Sequence, residues 1–201
     1  MSVIMATAGE EPAGIIESLK MYHCEKLILF SDERGKRMAV PKVLKAAEVL
    51  NIKTQLVTVD PYDILGMVDL FKEKIAEQRE SSIILNVTGG RKTMAIAATL
   101  AGMVAGNKVK DVIYITEEEH KPVSLPRLLN PETLLTKEKR AILQMLAKKK
   151  GATAEDLQTG MEVKLQAVWK HLRELEKLGY IRAYERKPRR LELTPSGQLL
   201  A

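Results

Sequence analysis

The residues best suited to chemistry stand together, in the run Thr88-Gly89-Gly90-Arg91-Lys92-Thr93. Two adjacent glycines let backbone N–H groups approach a ligand closely, because no side chain stands in the way. Arg91 and Lys92 add two full positive charges at the same place. Ahead of them lies an apolar run, Ile83 to Val87, and behind them a small-residue stretch, Met94 to Val104. A strand that feeds a helix through a glycine pair forms an anion site, since the N-terminal end of the helix carries a partial positive charge. The alternative is a tight turn with no ligand, which leaves the two consecutive cations unexplained.

Two nucleotide-binding patterns fail here. A phosphate-binding P-loop needs a glycine, four residues, and then Gly-Lys-Ser/Thr. Lys92-Thr93 follow Arg91, and position 86 is Asn. A dinucleotide fingerprint needs Gly-x-Gly-x-x-Gly after the first strand, and Gly9 and Gly14 do not supply it. A phosphodiester site built late in the sheet, from Asn86 to Met94, is the reading that remains.

The elements that must position this turn can be read in order. Apolar strands are expected at 2–6, 26–30, 54–59, 83–87 and 111–116, with helical spacing at 10–22, 41–50 and 61–79 between them. Asp60-Pro61 reads as the cap and first residue of the third of these helices. The strands are continuous apolar runs and alternate with helices, which predicts an α/β, Rossmann-like, mostly parallel sheet covered on both faces. Ligands of such sheets lie beyond the carboxyl ends of the strands. Those ends supply Thr7, Ala8, Gly9, Ser31, Asn86 and Thr88 as further candidates for ligand contact. The basic stretch Arg34-Gly35-Lys36-Arg37 reads as a loop able to close over the site. A short extra strand is expected near Val123, followed by a proline-bearing linker over 126–135.

The pattern changes at Thr136. Helices are expected at 136–150, from Thr153 through Leu157, and at 164–178, with Gly160 as a turn. Two strands follow, 180–184 and 191–194, joined by Glu185-Arg186-Lys187-Pro188-Arg189-Arg190. Three helices and a basic hairpin make a winged helix-turn-helix. Residues 1–125 are therefore expected to form the α/β domain, a sensor or catalytic unit, 126–135 the linker and 136–201 the winged domain. In this architecture the third helix enters the major groove. Its candidate DNA contacts are Lys164, Gln166, Ala167, Lys170, His171 and Arg173. Gln166 suits an adenine edge. The wing cations Arg186, Lys187, Arg189 and Arg190 suit phosphates or the adjacent minor groove.

Charge agrees with that division. The 201 residues carry a net +6, yet residues 136–201 hold 15 Lys and Arg against 8 Asp and Glu, a net of +7. A basic tail domain on a near-neutral partner points to nucleic acid. With Cys24 as the single cysteine, an intrachain disulfide is excluded and a reducing, cytoplasmic setting is expected. No apolar run reaches the roughly 18 residues of a membrane span, and the N-terminus reads as a strand without a signal sequence. His23, Cys24 and His120 lack metal-ligand spacing, so no metal site and no cofactor are expected.

The run Asn86-Val87-Thr88-Gly89-Gly90-Arg91-Lys92-Thr93-Met94 resembles the hallmark motif of CARF domains, the Rossmann-like sensors of CRISPR-associated proteins. Followed by a winged helix-turn-helix, it resembles the archaeal Csa-type CRISPR transcription regulators, and the first-strand ending Thr7-Ala8-Gly9 also fits. The resemblance implies a homodimer binding a cyclic oligoadenylate, most often the tetramer, on its two-fold axis. It implies coupling of that ligand to double-stranded operator DNA. The Gly89, Gly90 and Arg91 amides with the Lys92 ammonium would take phosphates. No residue is assigned a catalytic role. The alternative within the resemblance is a ring nuclease that cleaves its own ligand, for which no histidine or carboxylate is evident beside the glycine turn.

Overall fold

The computed structural model describes residues 2–78, 82–125, 135–161, 164–184 and 189–201. The chain forms two compact units, Met1–Leu129 and Asn130–Ala201. In the first, β1 (Ser2–Ala8), β2 (Lys26–Ser31), β3 (Lys53–Thr58), β4 (Ser82–Asn86), β5 (Val109–Ile115) and β6 (Pro122–Ser124) form one sheet in the order β3-β2-β1-β4-β5-β6. The first five strands run parallel, and β6 returns antiparallel along β5. This is the Rossmann-like, mostly parallel architecture read from the apolar runs, with the extra strand around Val123 in place.

Alternate strand residues point to opposite faces of a sheet. Ile4, Ala6, Leu27 and Leu29 pack in one cluster with Ile15 and Leu19 of α1 (Ala13–Met21) and Val40, Val43 and Ala47 of α3 (Ala39–Val49). On the other face Phe30 stacks on Phe71 of α4 (Ile64–Glu77), ring centroids 3.7 Å apart. Next to α4 lies α5 (Lys92–Val104). Its small residues have a local reason: a Cβ on Gly102 would stand 2.7 Å from Val112 and 2.8 Å from Leu85, so the helix lies close on the sheet.

Several boundaries differ from the sequence reading. Residues 34–37 belong to a short helix, α2 (Glu33–Arg37), because the Asp32 carboxylate accepts the Gly35 N–H at 2.8 Å and caps it. α4 starts at Ile64 with Asp63 as its cap; Asp60 instead closes a turn by accepting from the Tyr62 N–H. α1 begins at Ala13, not Glu10, and Lys92 and Thr93 already lie in the first turn of α5.

The second unit holds α6 (Lys137–Lys149), α7 (Ala154–Met161), α8 (Leu165–Lys177), the hairpin β7 (Ile181–Tyr184) and β8 (Arg190–Leu193), and α9 (Pro195–Leu200). Val168, Leu172 and Leu175 of α8 pack with Ile142, Leu143, Leu146 and Leu157. Gly160 lies inside α7 and makes no turn there. α9, absent from the sequence reading, is capped by Thr194, which accepts from the Gly197 N–H at 3.2 Å.

Candidate functional site

Strand order decides where a ligand can sit. From β1 the chain moves outward through β2 and β3, then returns to place β4 on the opposite side of β1. The crevice between the ends of β1 and β4 is the topological switch point of the sheet, where open α/β folds bind ligands. A pocket of about 600 Å³ opens there, within the size range of small-molecule sites. Its floor is Gly9, Gly89 and Gly90.

Glycine is required at this floor. A Cβ on Gly9 would lie 2.7 Å from both the N and Cα of Gly90, and one on Gly89 would lie 2.5 Å from the Thr7 carbonyl oxygen. Gly90 has φ +83°, which disfavours any other residue. The loops after β1 and β4 therefore touch backbone to backbone.

The polar side chains at the strand ends hold this contact. Buried Thr7 donates from Oγ1 to the Gly89 carbonyl at 2.5 Å, and buried Ser31 donates to the Ala8 carbonyl at 3.0 Å. Buried Asn86 donates from Nδ2 to the Gly14 carbonyl at 3.0 Å, while its Oδ1 accepts the Thr88 N–H and hydroxyl. The Thr88 hydroxyl in turn accepts the Ile115 N–H at 2.9 Å. Thr7, Ser31 and Asn86 thus have their polar atoms engaged with the protein's own backbone and Thr88, and they are buried, as is Ala8; none of the four lines the pocket. Thr88 lines the pocket.

Charge is arranged around the mouth. Arg91 lines the pocket, and its Nε donates to Asp32 Oδ2 at 2.9 Å while its guanidinium lies over the exposed Tyr62 ring, 5.6 Å from the centroid. Burial works against charge on Asp32, yet the Gly35 amide and the Arg91 guanidinium hold its carboxyl below the usual range. The ion pair is therefore present above the usual carboxylate range and is lost only as pH falls through that lowered value. Arg34 also lines the pocket and pairs with Glu10 at 2.9 Å. Lys36 pairs with Glu33 at 2.6 Å, and Arg37 is exposed outside the pocket wall.

Lys92 is exposed at the first position of α5, and neither it nor Thr93 belongs to the wall. Thr93 Oγ1 is buried without a partner among the described residues. The Arg91 N–H points to Met94 Sδ at 3.4 Å, so it is less free than the sequence suggests. Among the described residues, no protein acceptor meets the N–H groups of Gly89 and Gly90.

Five ionisable members of the wall, Glu10, Glu11, Asp32, Glu117 and His120, are not among the candidate contacts of the sequence reading. Asp32 follows Ser31 at a strand end, a visible signal. Glu117 and His120 reach the pocket because β5 and β6 form a hairpin closed by the Thr116 N–H on the Lys121 carbonyl at 2.9 Å, and no local pattern encodes that. Among the described residues, no cluster of three or more His, Cys, Asp or Glu is placed to hold a metal ion.

In the second unit, α8 exposes Lys164, Gln166, Lys170 and Arg173 on the face away from its buried leucines. Ala167 and His171 are half-buried at the flank, and His171 Nδ1 is buried without a partner among the described residues. Arg189 is engaged by α8, bonding Glu176 at 3.2 Å and lying over the Trp169 ring at 5.9 Å. The sequence reading assigns Arg189 to phosphates or the adjacent minor groove. The structure makes it a tie between wing and helix. Arg190 is exposed. Arg186 and Lys187 lie outside the described residues.

Residues 16–125 match the Csa3 CRISPR-associated Rossmann-like domain. The chain belongs to that family. Behind the Csa3-type domain, residues 136–182 match a winged helix-turn-helix DNA-binding domain. Among solved structures, the chain is similar to Can2 from Sulfobacillus thermosulfidooxidans in complex with cyclic tetra-adenylate (TM-score 0.51, 15% identity, covering 99% of this chain and 62% of that one). It is also similar to Enterococcus italicus Csm6 bound to cyclic hexa-2′-fluoro-hexa-dAMP (TM-score 0.54, 15% identity, covering 89% and 51%). At such identity the likeness concerns the fold, and this chain spans about half to two thirds of their length. No curated protein matched. Together, the two matches make this a CRISPR-associated protein that carries a winged helix-turn-helix DNA-binding domain. Among the described residues, no helix is long and apolar enough to cross a membrane.

Proposed function

We propose that this protein is a cytoplasmic transcription regulator that binds cyclic tetra-adenylate across a homodimer of its Csa3-type domain and thereby alters its affinity for a palindromic operator. The observation that carries the reading is the glycine floor at the switch point, with Arg91 and Arg34 at its mouth, in a chain that also carries a winged helix. Amide N–H groups and arginine forks suit phosphodiester oxygens. A ring of four identical nucleotides contains a two-fold axis, so two identical half-sites can share it. The bound structures of Can2 and Csm6 support the ligand class. Titration calorimetry with cyclic tetra-adenylate tests it: one ring per two chains is expected, and the absence of heat and of any thermal shift would sink it.

On DNA, Gln166→Ala is expected to relax sequence preference by about 1–3 kcal/mol at one base pair, read by competition binding with operator variants. A uniform loss across all variants would remove Gln166 from base reading.

A second reading, cleavage of the ring in the same pocket, is favoured by Glu117 and His120 on its wall, which supply the carboxylate and imidazole the glycine turn lacks. Chromatography of the ring after long incubation separates binding from turnover.

A further inference from the structure

Asp32 occupies an unusual place. It follows β2, it is buried, and each of its carboxylate oxygens has a different task. Oδ1 accepts the Gly35 N–H at 2.8 Å and caps α2, while Oδ2 accepts Arg91 Nε at 2.9 Å from the loop after β4. Nε is thereby occupied and the guanidinium plane rests over Tyr62, which restricts the side chain to one placement. The two terminal nitrogens of the fork carry no bond to a described residue, and Arg91 lines the pocket. A long, flexible cation normally loses rotamer freedom when it grips an anion. Here that freedom is already lost before any ligand arrives.

We propose that Asp32 is a positioning residue that sets Arg91 in advance for a phosphodiester; the inference rests on reading the pocket as a phosphodiester site. Arg91 is the group that touches the ligand, and Asp32 acts through it. The same geometry makes the opposite view testable. If Asp32 only neutralised Arg91, removing its charge would leave the pocket more cationic and tighten the grip on a polyanion.

Asp32→Asn separates these cases. Asparagine caps a helix as well as aspartate does, so its Oδ1 retains the Gly35 bond. Its Nδ2 turns a donor toward the Arg91 Nε–H, and that bond is lost. Positioning predicts that D32N weakens cyclic tetra-adenylate binding about tenfold by calorimetry, despite the added positive charge. In an Arg91→Ala background, D32N should add no more than about twofold, because there is no longer a side chain to position. A tighter or unchanged D32N, or an equal loss in both backgrounds, overturns the proposal. A second readout needs no ligand: the Arg91 Nε–H resonance should exchange slowly in the wild type and rapidly in D32N. Fast exchange in the wild type also overturns it. If the ring fails to bind the wild type while that resonance is protected, the phosphodiester reading falls and the Asp32 clamp on Arg91 stands.

Discussion

Arg91→Ala is expected to weaken cyclic tetra-adenylate binding by about 10- to 100-fold, the usual effect of losing a hydrogen bond to a charged group. The guanidinium lies at the pocket mouth with Nε held by Asp32 and one face on Tyr62, so its terminal nitrogens offer a fixed fork. Truncation removes the fork and also leaves the buried Asp32 carboxylate with one partner fewer. The stability cost should be small, because the Arg91 side chain is 41% exposed and the pair is partly screened. Calorimetry on the variant measures the first effect and chemical denaturation the second. Arg91→Lys should recover only part of the affinity, since an ammonium is a point charge without a planar fork. Operator affinity without the ring should be unchanged, because Arg91 belongs to the first unit. Wild-type ring affinity in R91A would remove Arg91 from the site.

Gly9→Ala should be more damaging, although it adds a single methyl group. The added carbon would lie 2.7 Å from the Gly90 backbone N and Cα. No flexible side-chain end is there to move aside, so the loops after β1 and β4 must separate. Separation pulls against the Thr7 hydroxyl bond to the Gly89 carbonyl and the Asn86 bond to the Gly14 carbonyl. Overpacking of this kind costs about 1–3 kcal/mol. For a chain of this size that lowers Tm by about 2–12 °C. Ring binding should fall below detection in calorimetry, since the moved atoms are the pocket floor. A G9A protein that melts and binds as the wild type does would show that the two loops are not held together as described.

How far the sequence revealed the site can be judged residue by residue. The runs Leu27–Phe30 and Ile83–Leu85 announce strands buried on both faces, and Gly89-Gly90 announces close backbone approach; both are local properties of the chain. The sequence reading gives the Arg91 amide to a phosphate, whereas it is the residue's side chain that Asp32 holds and its N–H that points to Met94 Sδ. The partners of Thr7, Ser31 and Asn86 were not legible. Residue type says that each needs a hydrogen bond, but the acceptors are backbone carbonyls far along the chain: the parallel register sets Ala8 beside Ser31, while Gly14 lies in α1 and Gly89 in the loop after β4. Lys92 illustrates the limit in the other direction. Its neighbour Arg91 ends the loop and lines the pocket, while Lys92, one residue later, opens α5, is exposed and is not part of the wall. The α2 helix was hidden because five residues with a central glycine lack a helical signature, and its stability comes from the Asp32 cap. Arg189 read as a phosphate contact because a basic turn looks alike whether or not it is tied back; Glu176 and Trp169 lie on another element.

The central claim is that the pocket and the winged helix are thermodynamically coupled. A ligand can shift DNA affinity only through its own difference in affinity between the two states, and the coupling is reciprocal. The direct measurement is operator affinity of the full chain at fixed salt, with and without saturating cyclic tetra-adenylate. The account predicts a change of at least about fivefold, matched by an equal change in ring affinity when operator is saturating. Equal operator affinity in both conditions, with the ring bound, would contradict it.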